Sequence, residues 1–218
     1  MKFSAVLFDL DGTLLDTLTD LAEAANAALA ARGYPLHPVA AYREFVGDGV
    51  EMLARRILPV ARTAPEEVAA LVADFRGQYA GNWHNATRSY DGINEMLDVI
   101  AARGLPMLVL SNKPDDFTRL MVDHYFARWQ FAAVAGVREG MKPKPDPAAA
   151  LAMVRALGAA PAEVLYLGDT GTDMKTAAAA GMFPAGALWG FRPREELLRD
   201  GARILVEHPR AVGMLLNG

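Results

Sequence analysis

The sequence contains no cysteine. A disulfide framework, a thiol nucleophile and a thiolate metal site are therefore excluded. It also lacks any stretch of about 18 uncharged apolar residues, so no membrane-spanning helix is expected. The apolar start is short and runs straight into acidic residues, unlike a secretory leader, which leaves a cytoplasmic location as the expectation. Positive charge is not in excess: 22 Lys and Arg stand against 26 Asp and Glu, a net charge of −4. Neither nucleic acid nor an anionic membrane is an expected partner. No solenoid-length repeat and no long low-complexity tract is visible. What is present is a chain of 218 residues, 52% hydrophobic and 22% charged. That is enough for one large domain, or a domain with an insert, and a full core.

The most informative stretch is Ala5-Val6-Leu7-Phe8-Asp9-Leu10-Asp11-Gly12-Thr13. Four apolar residues followed by turn residues read as a strand buried on both faces. Two carboxylates follow at i and i+2, and on an extended backbone they leave on one face. Like charges so placed resist burial together, and a divalent cation is the usual counter-charge.

After Thr13 the period changes. Asp16 or Thr17 caps a helix marked by Leu18, Leu21, Ala25, Ala28 and Leu29, which Gly33 and Pro35 stop. Helical stretches follow over Val39–Val46, Val50–Leu58 and from Thr63, where Glu66 completes a capping box. Residues 16–88 thus read as four helices without a strand. From Tyr90 onward strand and helix alternate. Strands are expected at Met107–Leu110, Phe131–Val134, Val164–Leu167, Phe183–Leu188 and Ile204–Val206. Such alternation implies a parallel sheet covered by helices.

The expected fold is α/β: a doubly wound, Rossmann-like parallel-sheet core of residues 1–15 and 89–218. A helical cap domain of residues 16–88 is inserted after the first strand. Ligands bind such sheets at the carboxyl ends of the strands. The polar clusters fall there: Asp9 and Asp11, Ser111 and Asn112, Gly168 and Asp169. Trp129 and Trp189 read as aromatics at the core edge.

Asp9-Leu10-Asp11-Gly12-Thr13 resembles the first motif of the haloacid dehalogenase superfamily, most of whose members are aspartate-nucleophile phosphatases. Ser111 resembles the second motif. Lys142-Pro143-Lys144-Pro145-Asp146 resembles the Lys-Pro-x-Pro-Asp form of the third, and Gly168-Asp169 with Asp173 the fourth. The resemblance covers nearly the whole chain, including the place of the helical insert. It implies Asp9 as nucleophile and Asp11 as acid/base, with the Asp11 carbonyl in the metal shell. Lys142 is implied as the site lysine, with Lys144 one register step away as the alternative. Mg²⁺ is the implied cofactor, held by Asp9, Asp11, Asp169 and Asp173; Asp173 either binds a metal water or caps its helix. Phosphate binding is expected from Ser111, Asn112 and Lys142.

Asp16-Thr17, Gly47-Asp48-Gly49 with Arg56, and Ser111-Asn112-Lys113-Pro114 are similar to the phosphoglycolate phosphatase branch. The implied partner is a small phosphorylated metabolite, with Gly47, Gly49 and Arg56 as substrate contacts from the cap, in a monomer or homodimer. A sugar-phosphate mutase is disfavoured because no histidine lies between Leu14 and Leu36. A phosphonate hydrolase is disfavoured because no lysine lies between Ala5 and Asn112. Another phosphatase of the superfamily (pyrophosphatase-like, for example) and a non-catalytic binding relative are the remaining alternatives.

Overall fold

The computed structural model describes residues 2–216. In chain order the elements are β1 (Ala5–Phe8), β2 (Leu15–Asp16), α1 (Leu18–Ala31), α2 (Tyr42–Phe45), α3 (Val50–Ile57), α4 (Pro65–Asn82), β3 (Arg88–Ser89), α5 (Ile93–Ala102), β4 (Met107–Pro114), α6 (Asp115–Tyr125), β5 (Ala133–Val137), α7 (Ala148–Leu157), β6 (Val164–Gly168), α8 (Gly171–Ala179), β7 (Phe183–Ala187), α9 (Arg194–Arg199), β8 (Ile204–Val206) and α10 (Val212–Leu215). Two compact units result, Met1–Leu15 with Ser89–Gly218, and Asp16–Arg88.

The first unit carries a six-stranded sheet in the order β5-β4-β1-β6-β7-β8, every recorded pairing being parallel. β1 lies between β4 and β6. Chain order runs outward from β1 through β4 and β5 on one side, and from β6 to β8 on the other. The carboxyl end of β1 is therefore the topological switch point, where an open α/β sheet forms its ligand crevice. Its four residues are fully buried, which is why they read as a continuous apolar run rather than an alternation. Leu7 packs with Leu108, Leu110, Tyr166, Val154 and Met153 in the core between sheet and helices. Burying side chains of this size contributes about 1.5–3 kcal/mol each.

The second unit is the helical insert. Within it α1 packs along α4, and α3 and α2 close against that pair. The stripe Val68, Leu71, Phe75 and Tyr79 is buried on α4, as its helical spacing predicts. Asp20 is fully buried in this unit. It accepts from the Ala86 amide at 2.9 Å, the Thr87 amide at 2.8 Å and the Thr87 hydroxyl at 2.7 Å, tying the first turn of α1 to the exit strand. Asp20→Ala leaves these donors without their acceptor. It should cost about 2–4 kcal/mol, read as a lower melting temperature with faster amide exchange at Thr87.

Local expectations are corrected in several places. Asp16 and Arg88 lie in the short strands β2 and β3, where residues 16–88 were read without a strand, and the strand expected at Phe131–Val134 is Ala133–Val137. The capping box at Thr63 and Glu66 does not form. α4 starts at Pro65 after Ala64, because proline fits the first helical turn, and Thr63 Oγ1 donates to the Val60 carbonyl instead. Thr17 occupies the N-cap of α1 without a side-chain cap bond. The strand expected to stop at Leu110 runs on to Pro114 with a register shift, which carries Ser111, Asn112 and Lys113 into β4. Among the described residues no helix is long and apolar enough to cross a membrane.

Candidate active site

β1 delivers Asp9 to the switch point, its amide bonded to the Leu167 carbonyl of β6 at 3.0 Å. β6 ends at Gly168 and delivers Asp169, and the first turn of α8 delivers Asp173. These three buried carboxylates each bring one oxygen within 4.8 Å of the others. Such a set could hold a hard divalent cation.

The electrostatics fit that reading. Burial first, then the charge of Asp173, push the Asp9 carboxyl well above the usual carboxylate range, against the pull of Lys144. Asp169 is pushed up to about 7, again by burial first and by Asp173 second; the Phe191 amide and Thr13 hydroxyl act in the opposite direction. A cation bound there would add counter-charge to that of Lys144. Because Asp169 sits above its ordinary 3.8, its contribution to metal-free stability is complete below pH of about 4 and is lost as pH rises towards 7. Cation binding needs the carboxylate form. Affinity for the cation should thus weaken about tenfold per pH unit below 7 for each proton displaced, measurable by calorimetric titration from pH 5.5 to 8.

Asp169 is fixed from both sides. Thr13 Oγ1 donates to its Oδ1 and the Phe191 amide to its Oδ2, each at 2.8 Å. Trp189 Nε1 donates to the Thr13 carbonyl at 2.9 Å, so this indole braces the turn that holds Asp169 rather than merely edging the core. Gly12 has φ +86°, and a Cβ there would overlap the Asp169 carboxylate. Both the turn and the close approach require glycine.

The lysine beside Asp9 is Lys144, where Lys142 was expected. Lys142 is exposed, with its side chain 80% accessible and its ammonium 3.7 Å from Asp146. Lys144 is buried, with Nζ 2.8 Å from Asp9 Oδ1, 2.7 Å from Asp173 Oδ1 and 3.1 Å from the Leu110 carbonyl. The register is chosen by Asn112. Its Oδ1 accepts from the Lys144 amide at 2.8 Å and its Nδ2 donates to the Lys144 carbonyl at 3.1 Å. This clamp fixes the lysine backbone and leaves the ammonium aimed at Asp9. It commits the Asn112 side chain to the lysine loop, while the contact expected at the phosphate is that of the Asn112 backbone amide. Burial pulls the Lys144 ammonium down, but Asp173 and Asp9 outweigh it and hold the group well above its usual value.

Asp173 carries a capping box with Thr170, accepting from its amide at 3.0 Å and its hydroxyl at 2.7 Å on Oδ2. Its Oδ1 takes Lys144 and, at 3.4 Å, the Tyr166 hydroxyl. Helix capping and site chemistry thus share one side chain. On Asp9, Oδ1 accepts from Leu10 N at 2.7 Å and from Lys144. No hydrogen bond to Oδ2 is formed among the described residues.

The Asp11 side chain stands outside the three-carboxylate group. Both its oxygens lie 3.0 Å from Lys113 Nζ, a partner that sequence reasoning missed. Ser111 is buried, its Oγ accepting from the Lys113 amide at 3.2 Å. In the helical unit, Gly47 and Gly49 adopt φ +111° and +90°, so the turn before α3 needs them conformationally. Arg56 ion-pairs with Asp48 and donates to the Phe45 carbonyl at 3.0 Å, bracing that turn.

A doubly wound α/β enzyme core with buried carboxylates at the end of its first strand is the class these features define. Residues 6–187 match the family model of the haloacid dehalogenase-like hydrolases, and the chain belongs to that family. It is 31% identical over 209 residues to phosphoglycolate phosphatase 1 of Pseudomonas aeruginosa, covering 94% of this chain and 76% of that one. It is 35% identical to a phosphoglycolate phosphatase of Xylella fastidiosa, over 94% and 89% of the two chains. An N-acetylmuramic acid 6-phosphate phosphatase of P. aeruginosa is 32% identical, over 96% and 93%. A solved structure from Lactobacillus delbrueckii subsp. bulgaricus, provisionally named a phosphoglycolate phosphatase, superposes over the full length of both chains with a TM-score of 0.93 at 28% identity. Within the family, the chain is one of the phosphatases.

Proposed function

We propose that this protein is a Mg²⁺-dependent phosphatase of small phosphomonoesters, with 2-phosphoglycolate as the leading substrate, acting through an aspartyl-phosphate. The observation that carries the reading is Asp9 at the switch point, one oxygen held by Lys144 and its carboxylate grouped with Asp169 and Asp173. Hard oxygen ligands suit Mg²⁺, which when bound neutralises phosphoryl charge and lowers the cost of bringing a dianion to three carboxylates.

The chain's own residues then do the following. Ser111 and the Asn112 amide donate to phosphoryl oxygens, and Lys144 screens the charge between nucleophile and phosphate. The Asp9 oxygen forms the new bond to phosphorus as the ester bond breaks, and Asp11 gives its proton to the leaving alkoxide. Water next attacks the aspartyl-phosphate. Asp11 takes the water's proton, the Asp9–phosphorus bond breaks, and phosphate is released. Asp173 sets the position of Lys144. We assign residues 16–88 the role of cap and residues 1–15 with 89–218 that of catalytic core.

The test is phosphate release from a panel of phosphomonoesters that includes 2-phosphoglycolate and N-acetylmuramic acid 6-phosphate, with Mg²⁺ or EDTA. Strong preference for 2-phosphoglycolate, lost in EDTA, supports the full reading. A preference for the muramic acid ester moves the substrate to that of the other named relative. No release from any compound overturns it.

A further inference from the structure

The Lys113–Asp11 pair has no part in the scheme above, and its geometry is at odds with the role given to Asp11. Lys113 Nζ is 3.0 Å from both Asp11 oxygens, and its side chain is 4% exposed, that of Asp11 17%. A carboxylate whose two oxygens both accept from one ammonium directs neither towards a leaving group. Releasing it is costly, because withdrawing one partner of a buried ion pair is penalised by several kcal/mol. Another anion arriving at Nζ in the place of Asp11 offsets that cost. Phosphate is not the natural candidate, since Lys144 already stands at the nucleophile and Ser111 precedes Lys113 by two residues on β4.

We infer that Lys113 is the specificity-determining residue of this site: it accepts a second anionic group of the substrate, a carboxylate close to the phosphate, and in doing so frees Asp11 to reach the leaving oxygen. The inference rests on the proposed phosphatase reading and on Asp11 as acid/base. A substrate with a carboxylate next to its phosphoester satisfies Lys113 and unlocks Asp11 together. A substrate with only a phosphate leaves the latch closed. Discrimination then comes from unlatching as well as from contact, and a buried charged partner is a strong discriminator for that reason.

The experiment compares kcat/KM for 2-phosphoglycolate with that for ethyl phosphate, which keeps the two-carbon chain and lacks the carboxylate. Wild type should favour 2-phosphoglycolate by at least about 100-fold. In Lys113→Met that ratio should collapse to within about threefold, whatever happens to the absolute rates, and Lys113→Arg should restore part of it. If both substrates lose equally in Lys113→Met and the ratio survives, Lys113 only supports the fold and the inference is overturned. Should Lys113→Met fail to fold, judged by its melting curve, the arginine variant and wild type carry the test. Equal wild-type turnover of carboxylated and uncarboxylated esters overturns the inference without any variant. If wild type prefers another carboxylated ester such as 3-phosphoglycerate, the phosphoglycolate reading fails while the Lys113 inference stands. If 2-phosphoglycolate is preferred and Lys113→Met keeps that preference, the reading stands and the inference fails.

Discussion

Asp9→Asn should reduce phosphate release by about 10⁴-fold or more with every substrate, because an amide oxygen does not supply the attacking carboxylate on which covalent catalysis depends. The loss is not expected to come from unfolding. Burial and the neighbouring Asp173 charge both oppose ionisation of Asp9, so a neutral side chain of the same shape relieves repulsion in the metal-free protein. Lys144 retains Asp173 as a counter-ion at 2.7 Å. The melting temperature in EDTA should therefore stay level or rise while turnover vanishes. Residual activity above about 1% of wild type would place the nucleophile elsewhere.

The second large effect separates the two lysines of one proline-rich segment. Lys144→Met should lower kcat/KM by about 10³-fold, since it removes the cation beside the nucleophile where phosphoryl charge accumulates. It should also destabilise the protein by about 3–5 kcal/mol, the usual consequence of removing one partner from a buried ion pair. Here two carboxylates, Asp9 and Asp173, lose their shared ammonium. Saturating Mg²⁺ should recover part of the stability and none of the rate. Lys142→Met should change both quantities by less than a factor of two, because an exposed pair such as Lys142 with Asp146 contributes about 0–1 kcal/mol. A larger loss of turnover in Lys142→Met than in Lys144→Met would reverse the assignment.

These two outcomes also mark where sequence reading stops. Lys142 and Lys144 are both followed by proline, and the Lys-Pro-x-Pro-Asp spacing favours the first. The choice is made by Asn112, whose side chain grips both backbone polar groups of Lys144 from 32 residues away. A local motif does not carry that information. The same holds for Lys113. Its pairing with Asp11 spans 102 residues and lies on the part of β4 that runs on past Leu110. In sequence, the strand-end position of Ser111 and Asn112 was the only hint. Trp189 read as a core-edge aromatic because indoles usually are; its bond to the Thr13 carbonyl spans 176 residues. Arg56 read as a substrate contact, and what only the fold shows is the pairing of its guanidinium with Asp48 and the Phe45 carbonyl.

The sequence by itself determined what depends on local pattern. The apolar run into Asp9 and Asp11 and the change from helical stripes to alternating strands and helices defined an α/β core with a helical insert, and the absence of cysteine excluded thiolate chemistry. Periodicity and burial are short-range properties of the chain, and they survive whatever the side chains later do. The tertiary structure alone decided which lysine faces Asp9, that Asp173 caps its helix while holding Lys144, and that Asp11 rests against Lys113. Those outcomes depend on which side chains the sheet brings within 3 Å of one another, where burial makes every charge find a partner.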